Sequence, residues 1–256
     1  MRLAKQFLYG IFYLLILSGI SWGVYSFTLK PAPSCFDNKQ NGREIGVDCG
    51  GDCVSCEIKN LQPLSFSSAV LFRADRVFSA SAEIRNPNSS YGAKSFDYEV
   101  NFYDGAGKLL QSIKKKGFIY AGQTKDLIEA GVRITAGVAS TTEIKLDEKS
   151  LIWGRAKDFF EPPHELKDSA AVLENEQAVI SGNITNLNNY LLSRVLVSAF
   201  LIDKSGMRVG ASKTEFQDVG PFQVENFKIF IPVRKDLVGE VDLEATAQSV
   251  FVEVLK

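Results

Sequence analysis

The feature that most constrains this chain is an apolar run close to its N-terminus, from Phe7 to Leu29. These roughly 23 residues contain no Asp, Glu, Lys, Arg or His. A helix rises about 1.5 Å per residue, so a run of this length can span the roughly 30 Å hydrocarbon core of a bilayer. The sequence therefore predicts a transmembrane helix over residues 7–29. We expect its lipid-facing side chains to include Phe7, Leu14, Leu17, Trp22 and Leu29.

The charges on either side of the run predict its orientation. Met1, Arg2 and Lys5 place a terminal amine and two cationic side chains before the run, whereas only Lys30 follows it closely. Positively charged flanks are retained in the cytoplasm. We therefore expect residues 1–6 to be cytoplasmic and the rest of the chain, after the helix, to lie outside the cell membrane.

A cleaved signal peptide and a lipoprotein signal are two other interpretations of the run. The apolar core of a signal peptide is usually about 7–15 residues long, which is shorter than this run. A lipoprotein would be acylated on Cys35, but Ala32 stands where leucine is usual, and acylation would leave one of the other three cysteines unpaired. An uncleaved signal anchor fits the sequence better.

All four cysteines follow the run within a short module that we place at residues 30–58. They are Cys35, Cys49, Cys53 and Cys56. The module has too few apolar side chains to build a core, so covalent cross-links must hold it. An even number of cysteines outside the membrane favours disulfides, and the sequence does not choose among the three possible pairings. Zinc or redox chemistry at Cys53-Val-Ser-Cys56 is the alternative, although no histidine lies nearby.

The same module carries oxygen ligands of the kind that Ca²⁺ prefers. They are Asp37, Asn41, Glu44, Asp48 and Asp52. Acidic residues and Asn beside glycines such as Gly42 and Gly50 are equally what tight turns require. The sequence therefore offers a calcium site as one hypothesis and predicts no other cofactor.

The module also resembles a short cysteine module of extracellular and surface proteins. The matching stretches are Asn41-Gly42, Glu44, Val47-Asp48-Cys49-Gly50-Gly51, Cys53 and Cys56. Asn38 stands where that module usually has Gly. The resemblance implies a location outside the cytoplasm and no particular activity.

From about residue 60 the apolar residues alternate with polar ones. Examples are Val77–Arg85 and Phe96–Tyr103. A period of two is typical of half-buried strands, and turn residues separate the apolar segments. No long amphipathic helical pattern occurs in this region. The sequence predicts an all-β fold.

An internal repeat divides this outer region into two parts. Ile84–Asn88 aligns with Ile184–Asn188 at an offset of 100 residues, and the Asp-x-x-Gly turn at Asp104 aligns with the one at Asp203. A fixed period with shared turn chemistry predicts two copies of one β-sandwich. We place them at residues 59–150 and 169–256, joined by a linker over residues 151–168 that Pro162-Pro163 would stiffen. Both aspartates are predicted to close hairpins.

The repeat resembles the FxLYD family of extracytoplasmic immunoglobulin-like domains. The corresponding places are Phe102-Tyr103-Asp104 and Leu201-Ile202-Asp203. Asn86-Pro87-Asn88 is also similar to the late-embryogenesis-abundant type of sandwich. These resemblances imply two tandem immunoglobulin-like β-sandwiches of seven strands each, with no conserved chemistry.

The composition narrows the possible functions. A formal net charge of −1 argues against nucleic-acid binding. His164 is the only histidine, and no nucleophile with a base or pair of carboxylates is evident, so we expect no enzyme. The sequence predicts a membrane-anchored extracytoplasmic interaction or assembly protein whose sandwiches bind a protein partner or a second copy. A structural spacer of the cell surface and a calcium-binding or small-ligand-binding protein are the alternatives.

Overall fold

The computed structural model describes residues 2–29 and 32–256, and the side chains of residues 5–28 and 32–256. Met1 and Lys30, two of the residues on which the predicted orientation depends, lie outside the described residues. The chain divides into two compact units, one ending at Leu61 and one spanning Gln62–Lys256.

The first unit begins with an apolar helix, α1 (Arg2–Val24), which continues as a π-helical turn over Tyr25–Leu29. The stretch Lys5–Thr28 has 24 residues and a mean hydropathy of 1.8, and none of it is buried, so it is long and apolar enough to cross a membrane. The helix includes most of the predicted cytoplasmic segment. Four of the predicted anchor side chains are exposed, namely Phe7, Leu14, Leu17 and Trp22. The side chain of Leu29 lies outside the described set.

The cysteine module follows with little regular structure apart from one helical turn, α2 (Cys56–Lys59). Two disulfides hold it, Cys35–Cys53 and Cys49–Cys56. The predicted disulfides are thereby confirmed, and the structure selects one of the three pairings. Together with the apolar helix, they fit a membrane-anchored or secreted protein.

The second unit is built almost entirely of antiparallel strands, as predicted. In the order of the sequence they are β1 (Ser65–Phe66), β2 (Val70–Ala74), β3 (Val77–Arg85), β4 (Tyr91–Tyr103), β5 (Leu109–Ile119), β6 (Thr124–Arg133), β7 (Thr141–Arg155), β8 (His164–Glu174), β9 (Gln177–Asn186), β10 (Leu192–Ile202), β11 (Arg208–Val219), β12 (Val224–Pro232) and β13 (Phe251–Leu255). A 3₁₀ turn over Lys235–Leu237 and the short helix α3 (Leu243–Gln248) separate β12 from β13.

These strands form four sheets whose order is the same in each half of the unit. β6 occupies one side of β3, so β1 and β2 share the other side. This sheet faces a second one of order β5-β4-β7. The later strands repeat the scheme as β8-β9-β12 facing β11-β10-β13. The first half therefore has seven strands and the second has six, which corrects the expectation of seven in each.

Each pair of sheets encloses its own apolar core. Phe78, Phe96 and Phe102 are fully buried in the first core. Leu201, Phe227 and Ile229 are fully buried in the second. Of the predicted linker, residues 151–155 continue β7 and residues 164–168 begin β8, so the strand-free segment is residues 156–163.

The repeated asparagines tie together the loops at one end of each sandwich, which we call the asparagine corners. The buried side chain of Asn86 donates to the carbonyl oxygens of Tyr91 and Tyr120 at 2.7 and 2.9 Å. Its Oδ1 accepts from the backbone and side-chain nitrogens of Asn88, both at 3.0 Å. Asn88 in turn donates to the carbonyl oxygen of Gln62 at 2.8 Å. A single buried amide thus satisfies backbone groups from two separate loops.

The second corner repeats this network. Asn186 donates to the carbonyl oxygens of Tyr190 and Gly220 at 2.9 and 2.8 Å. Its Oδ1 accepts from both nitrogens of Asn188 at 2.9 and 2.8 Å, and Asn188 donates to the carbonyl oxygen of Pro163. The repeat that was visible in the sequence therefore has a structural cause, because in each copy one buried amide satisfies backbone groups of both loops.

The paired aspartates close hairpins at the opposite end of each sandwich. Oδ1 of Asp104 accepts from the backbone of Ala106 and Lys108, both at 2.9 Å. Oδ1 of Asp203 accepts from the backbone of Ser205 and Met207, also at 2.9 Å. The last glycine of each turn has a positive φ of about 80°. The hairpins form as the sequence predicts.

Replacing Asn186 by alanine should destabilise the second sandwich by about 3 kcal/mol, because several buried backbone groups lose their partner and each unsatisfied group costs roughly 1–3 kcal/mol. The control is Asn189→Ala, at an exposed asparagine in the same loop, which should change the free energy of unfolding by less than about 0.5 kcal/mol. Chemical denaturation measures both. Equal effects would contradict the role of the corner.

Candidate functional site

The cysteine module holds all five predicted calcium ligands. Each of their carboxylates has a hydrogen-bond or ion-pair partner, whereas the buried side-chain oxygen of Asn41 has none. Asp48 is buried, and its Oδ1 accepts from the backbone nitrogens of Asp37 and Asn38, both at 3.0 Å. Nζ of Lys59 lies 3.5 Å from Oδ2 of the same carboxylate. Asn38 has a positive φ of 57°, a conformation that Asn tolerates better than most residues. A glycine would adopt the same conformation without strain.

The other carboxylates of the module likewise accept hydrogen bonds or form an ion pair. Asp37 accepts from the side chain of Asn41 at 2.7 Å, and this hydrogen bond lowers the pKa of the Asp37 carboxyl. Glu44 accepts from the backbone nitrogen of Asn41 at 3.0 Å. Asp52 forms an exposed ion pair with Arg43 at 2.8 Å. The structure brings four of the five residues together around the turn at Asp48, while Asp52 pairs separately on the surface.

In the part of the chain that the structure describes, the one group of cysteine and acidic side chains spaced closely enough for a metal also lies in this module, and it consists of Cys35, Glu44 and Cys53. Its two cysteines are bonded to each other, so they offer no thiolate. The carboxylates of the module thus cap its own backbone or pair with nearby cations, and the Asn41 oxygen alone among the predicted ligands is unpaired. Calcium binding there stays one hypothesis.

Among the residues that the structure describes, the largest array of buried charged groups lies where the two sandwiches pack together, a region that we call the joint. Its apolar part combines Phe72 and Ile128 of the first sandwich with Phe200 and Ala211 of the second. The rings of Phe72 and Phe200 lie 6.4 Å apart in an edge-to-face arrangement, a geometry that adds to the stabilisation from buried area. The ring of Phe251 also stacks on that of Phe200, with the ring centroids 5.9 Å apart.

A buried ion pair crosses the joint beside this aromatic cluster. Lys125 on β6 contacts Glu253 on β13, and only 5% and 6% of the two side chains are exposed. The Lys125 ammonium also lies 4.1 Å from the ring centroid of Phe118, and burial lowers its pKa. The Tyr120 hydroxyl donates to the carbonyl oxygen of Val254 at 2.5 Å. Removing either charge would leave its partner buried without compensation.

Further contacts extend the joint along β6. Lys213 of the second sandwich donates to the carbonyl oxygen of Ile128 and lies 3.1 Å from the buried carboxylate of Glu129. Arg208 pairs with Asp126 at 2.9 Å and stacks over Phe200 at 3.9 Å. The joint is therefore apolar at its centre and ionic along one strand.

The segment between β7 and β8 packs against the first sandwich through Phe159, as does the nearby Trp153. The rings of Phe159 and Tyr120 lie 4.6 Å apart. Trp153 packs partly buried against the first core, and Phe160 is 57% exposed. Nδ1 of His164 lies 3.1 Å from the carbonyl oxygen of Pro162.

We did not predict the residues of the joint from the sequence. One signal was available in β10, where Val195–Ile202 is apolar at every position but Ser198. A strand that is apolar on both faces is typical of burial between two layers. No local pattern could pair Lys125 with Glu253, which lie 128 residues apart.

Comparisons with known proteins give no family for this chain. No family model matches it, and no curated protein matches it. Among solved structures it is similar to the crystal structure of red sea bream transglutaminase, with 13% identity and a TM-score of 0.26. The alignment covers 77% of this chain and 31% of that one, so the chain spans about a third of its length. A likeness this weak carries no functional argument.

We expect calcium to leave the stability of the cysteine module unchanged, because its carboxylates already accept hydrogen bonds or pair with cations. The measurement is the thermal midpoint of the full-length protein with EDTA or with calcium at roughly 10 mM, well above the roughly 1 mM dissociation constants of weak extracellular sites. Magnesium at the same concentration is the control. A rise seen with calcium alone would establish a site.

Replacing Lys125 by methionine should cost about 3–5 kcal/mol, because the Glu253 carboxylate is left buried without a partner. The double variant Lys125→Met/Glu253→Leu should recover most of this loss, since no buried charge remains. Chemical denaturation of both variants gives the comparison. A single variant as stable as the native protein would show that the pair is solvated and does not close the joint.

Proposed function

We propose that this chain is a membrane-anchored, non-enzymatic interaction or assembly protein whose two sandwiches act outside the membrane as one rigid block. The joint carries this proposal. Two tandem domains connected by a linker alone would change their relative orientation freely. Here an aromatic cluster and a buried ion pair hold them.

The location is supported by the apolar helix and by the disulfides. A helix of this length with Arg2 and Lys5 near its start favours a cytoplasmic N-terminus. Disulfides persist in oxidising compartments, so we place the module and both sandwiches outside the cytoplasm.

Rigidity favours binding, because a surface that is already ordered loses little conformational entropy when a partner docks. Open sheet edges are the simplest place for such docking, since an extended segment can add a strand there. Among the described residues, β7 is an edge strand, and Ile152 on it is 58% exposed. The opposite edge, β5, carries Lys114, Lys115 and Lys116, and lysines discourage strand addition.

A structural spacer is the second candidate. The joint would serve it equally well, because a rigid block holds whatever it carries at a constant distance. The two functions differ in whether a discrete protein contacts the edge of β7.

The test is chemical cross-linking of the full-length protein in its native membrane, followed by identification of the captured partner. We expect one stoichiometric partner that is lost in Ile152→Lys, because the new charge blocks strand addition. The matched control is Leu109→Lys, which adds the same charge at a half-exposed position of β5 and should leave capture intact.

Three other outcomes would change the assignment. Capture of nothing by the native protein would favour the spacer. Capture of a second copy would indicate a homo-oligomeric scaffold. Equal capture by both variants would exclude the β7 edge as the binding surface.

A further inference from the structure

The asparagine corner of the second sandwich presents three exposed apolar side chains, which we call the apolar corner. Leu187 and Leu191 are each 46% exposed, and Phe222 is 65% exposed. All three lie in the loops that Asn186 and Asn188 tie together. Apolar side chains that point outward from a well-ordered loop bury their surface only when something docks on them.

The backbone at Phe222 is held in a conformation that is unfavourable for a bulky residue. Its φ is 56°, and the other non-glycine residues with positive φ in the described chain are all Asn, Asp or Glu. A side chain with a Cβ is disfavoured in this region, and bulky residues occupy it rarely. A phenylalanine held there and left exposed points to a role outside the folding of the chain.

The first sandwich shows what the same loop needs for folding alone. Gly122 occupies the equivalent position with φ 66°, and its nitrogen donates to the carbonyl oxygen of Asn88 at 3.0 Å. The nitrogen of Phe222 makes the matching bond to Asn188 at 3.3 Å. Glycine adopts this conformation without strain, so the turn itself does not require an aromatic ring.

The positions of Leu187 and Leu191 also carry a larger or more flexible apolar residue than the first sandwich has. Pro87 corresponds to Leu187, between the paired asparagines of each corner. Gly92 corresponds to Leu191, because each follows the tyrosine whose carbonyl oxygen the corner asparagine binds. Gly92 is buried beneath Phe159. Three small or rigid residues in one copy are thus three large apolar residues in the other.

We propose that the apolar corner docks on the surface of the lipid bilayer in which the chain is anchored. Its two loops, residues 187–191 and 220–223, contain nine residues of which none is charged, although 23% of the chain is Asp, Glu, Lys or Arg. Uncharged loops enter the interfacial region of a bilayer without the cost of desolvating charge. Next to them, Nζ of Lys256 lies 4.3 Å from the ring of Tyr190, where it is available to a lipid phosphate.

Chain connectivity supports a lipid occupant over a protein one. Gln62, where the unit begins after the anchor and the cysteine module, is bound into the first asparagine corner. Pro163 is bound into the second corner and lies four residues from Phe159, which packs on Tyr120 of the first. Four residues span at most about 14 Å, so the two corners lie at one end of the block, the end at which the chain enters it. An apolar loop in a chain that is anchored in a bilayer gains effective concentration at that bilayer.

The proposal rests on the membrane anchor of the proposed function, and one experiment separates the two. Full-length protein carrying photoreactive benzoylphenylalanine in place of Phe222 is reconstituted in phosphatidylethanolamine–phosphatidylglycerol vesicles and irradiated. Met207 is the matched control position, because it is 62% exposed at the hairpin end of the same sandwich. We expect about tenfold more lipid adduct at position 222 than at 207, a ratio that corresponds to about 1.4 kcal/mol.

Equal lipid adducts at the two positions would contradict the proposal, as would adducts at 222 with a second copy or another protein. Vesicle flotation of the same sample reports on the anchor. Protein that floats but gives no adduct at 222 contradicts the corner alone. Protein that does not float contradicts the anchor, and the adduct at 222 with added vesicles then decides on the corner.

A second variant keeps structural effects apart from docking. Phe222→Gly installs the residue that the first sandwich has, so the thermal midpoint should stay unchanged or rise as the strained backbone relaxes. With the photoreactive residue moved to position 191, this substitution should reduce the lipid adduct severalfold. A lower midpoint, or an unchanged adduct, would show that Phe222 supports the fold rather than the contact.

Discussion

The buried ion pair between Lys125 and Glu253 is the interaction on which the arrangement of the two sandwiches depends. Each charge tolerates burial only because the other is present, and each belongs to a different sandwich. Separating the sandwiches would return both to water but would also expose the aromatic cluster around Phe72 and Phe200. The ionic part gives the joint its specificity and the apolar part gives most of its free energy, which is why we propose that the two sandwiches move as one body.

The two copies of the repeat share the residues that close their turns and differ in the residues that contact their surroundings. In both copies a buried asparagine closes the loops at one end and an aspartate closes a hairpin at the other. The copies differ at the joint between the sandwiches and at the solvent-facing corner. Glu253 of the second copy faces the joint, and Phe222 replaces a glycine at a corner that faces solvent. The turn residues that the two copies share thus maintain the fold, while the positions at which the copies differ decide what each sandwich contacts.

Local sequence patterns predicted much of the fold, but they could not predict contacts between residues far apart in the sequence. Alternation over Val77–Arg85 gave a strand with the observed bounds, and the hairpins followed from their Asp-x-x-Gly turns. The disulfide pairing could not be predicted, since spacing alone leaves three choices. The joint was missed because its members lie on strands far apart in the sequence. The strain at Phe222 was missed because its φ depends on a hydrogen bond to another loop.

A distance measurement between the two sandwiches tests the rigid block most directly. All four native cysteines are in disulfides, so Lys114→Cys and Lys228→Cys, both at exposed strand positions, take nitroxide labels at known sites. Pulsed electron–electron double resonance should give a single narrow distance distribution for this doubly labelled protein. The distribution should broaden when Lys125→Met is added. A broad distribution in the native protein would contradict the account, because the sandwiches would then move independently despite the joint.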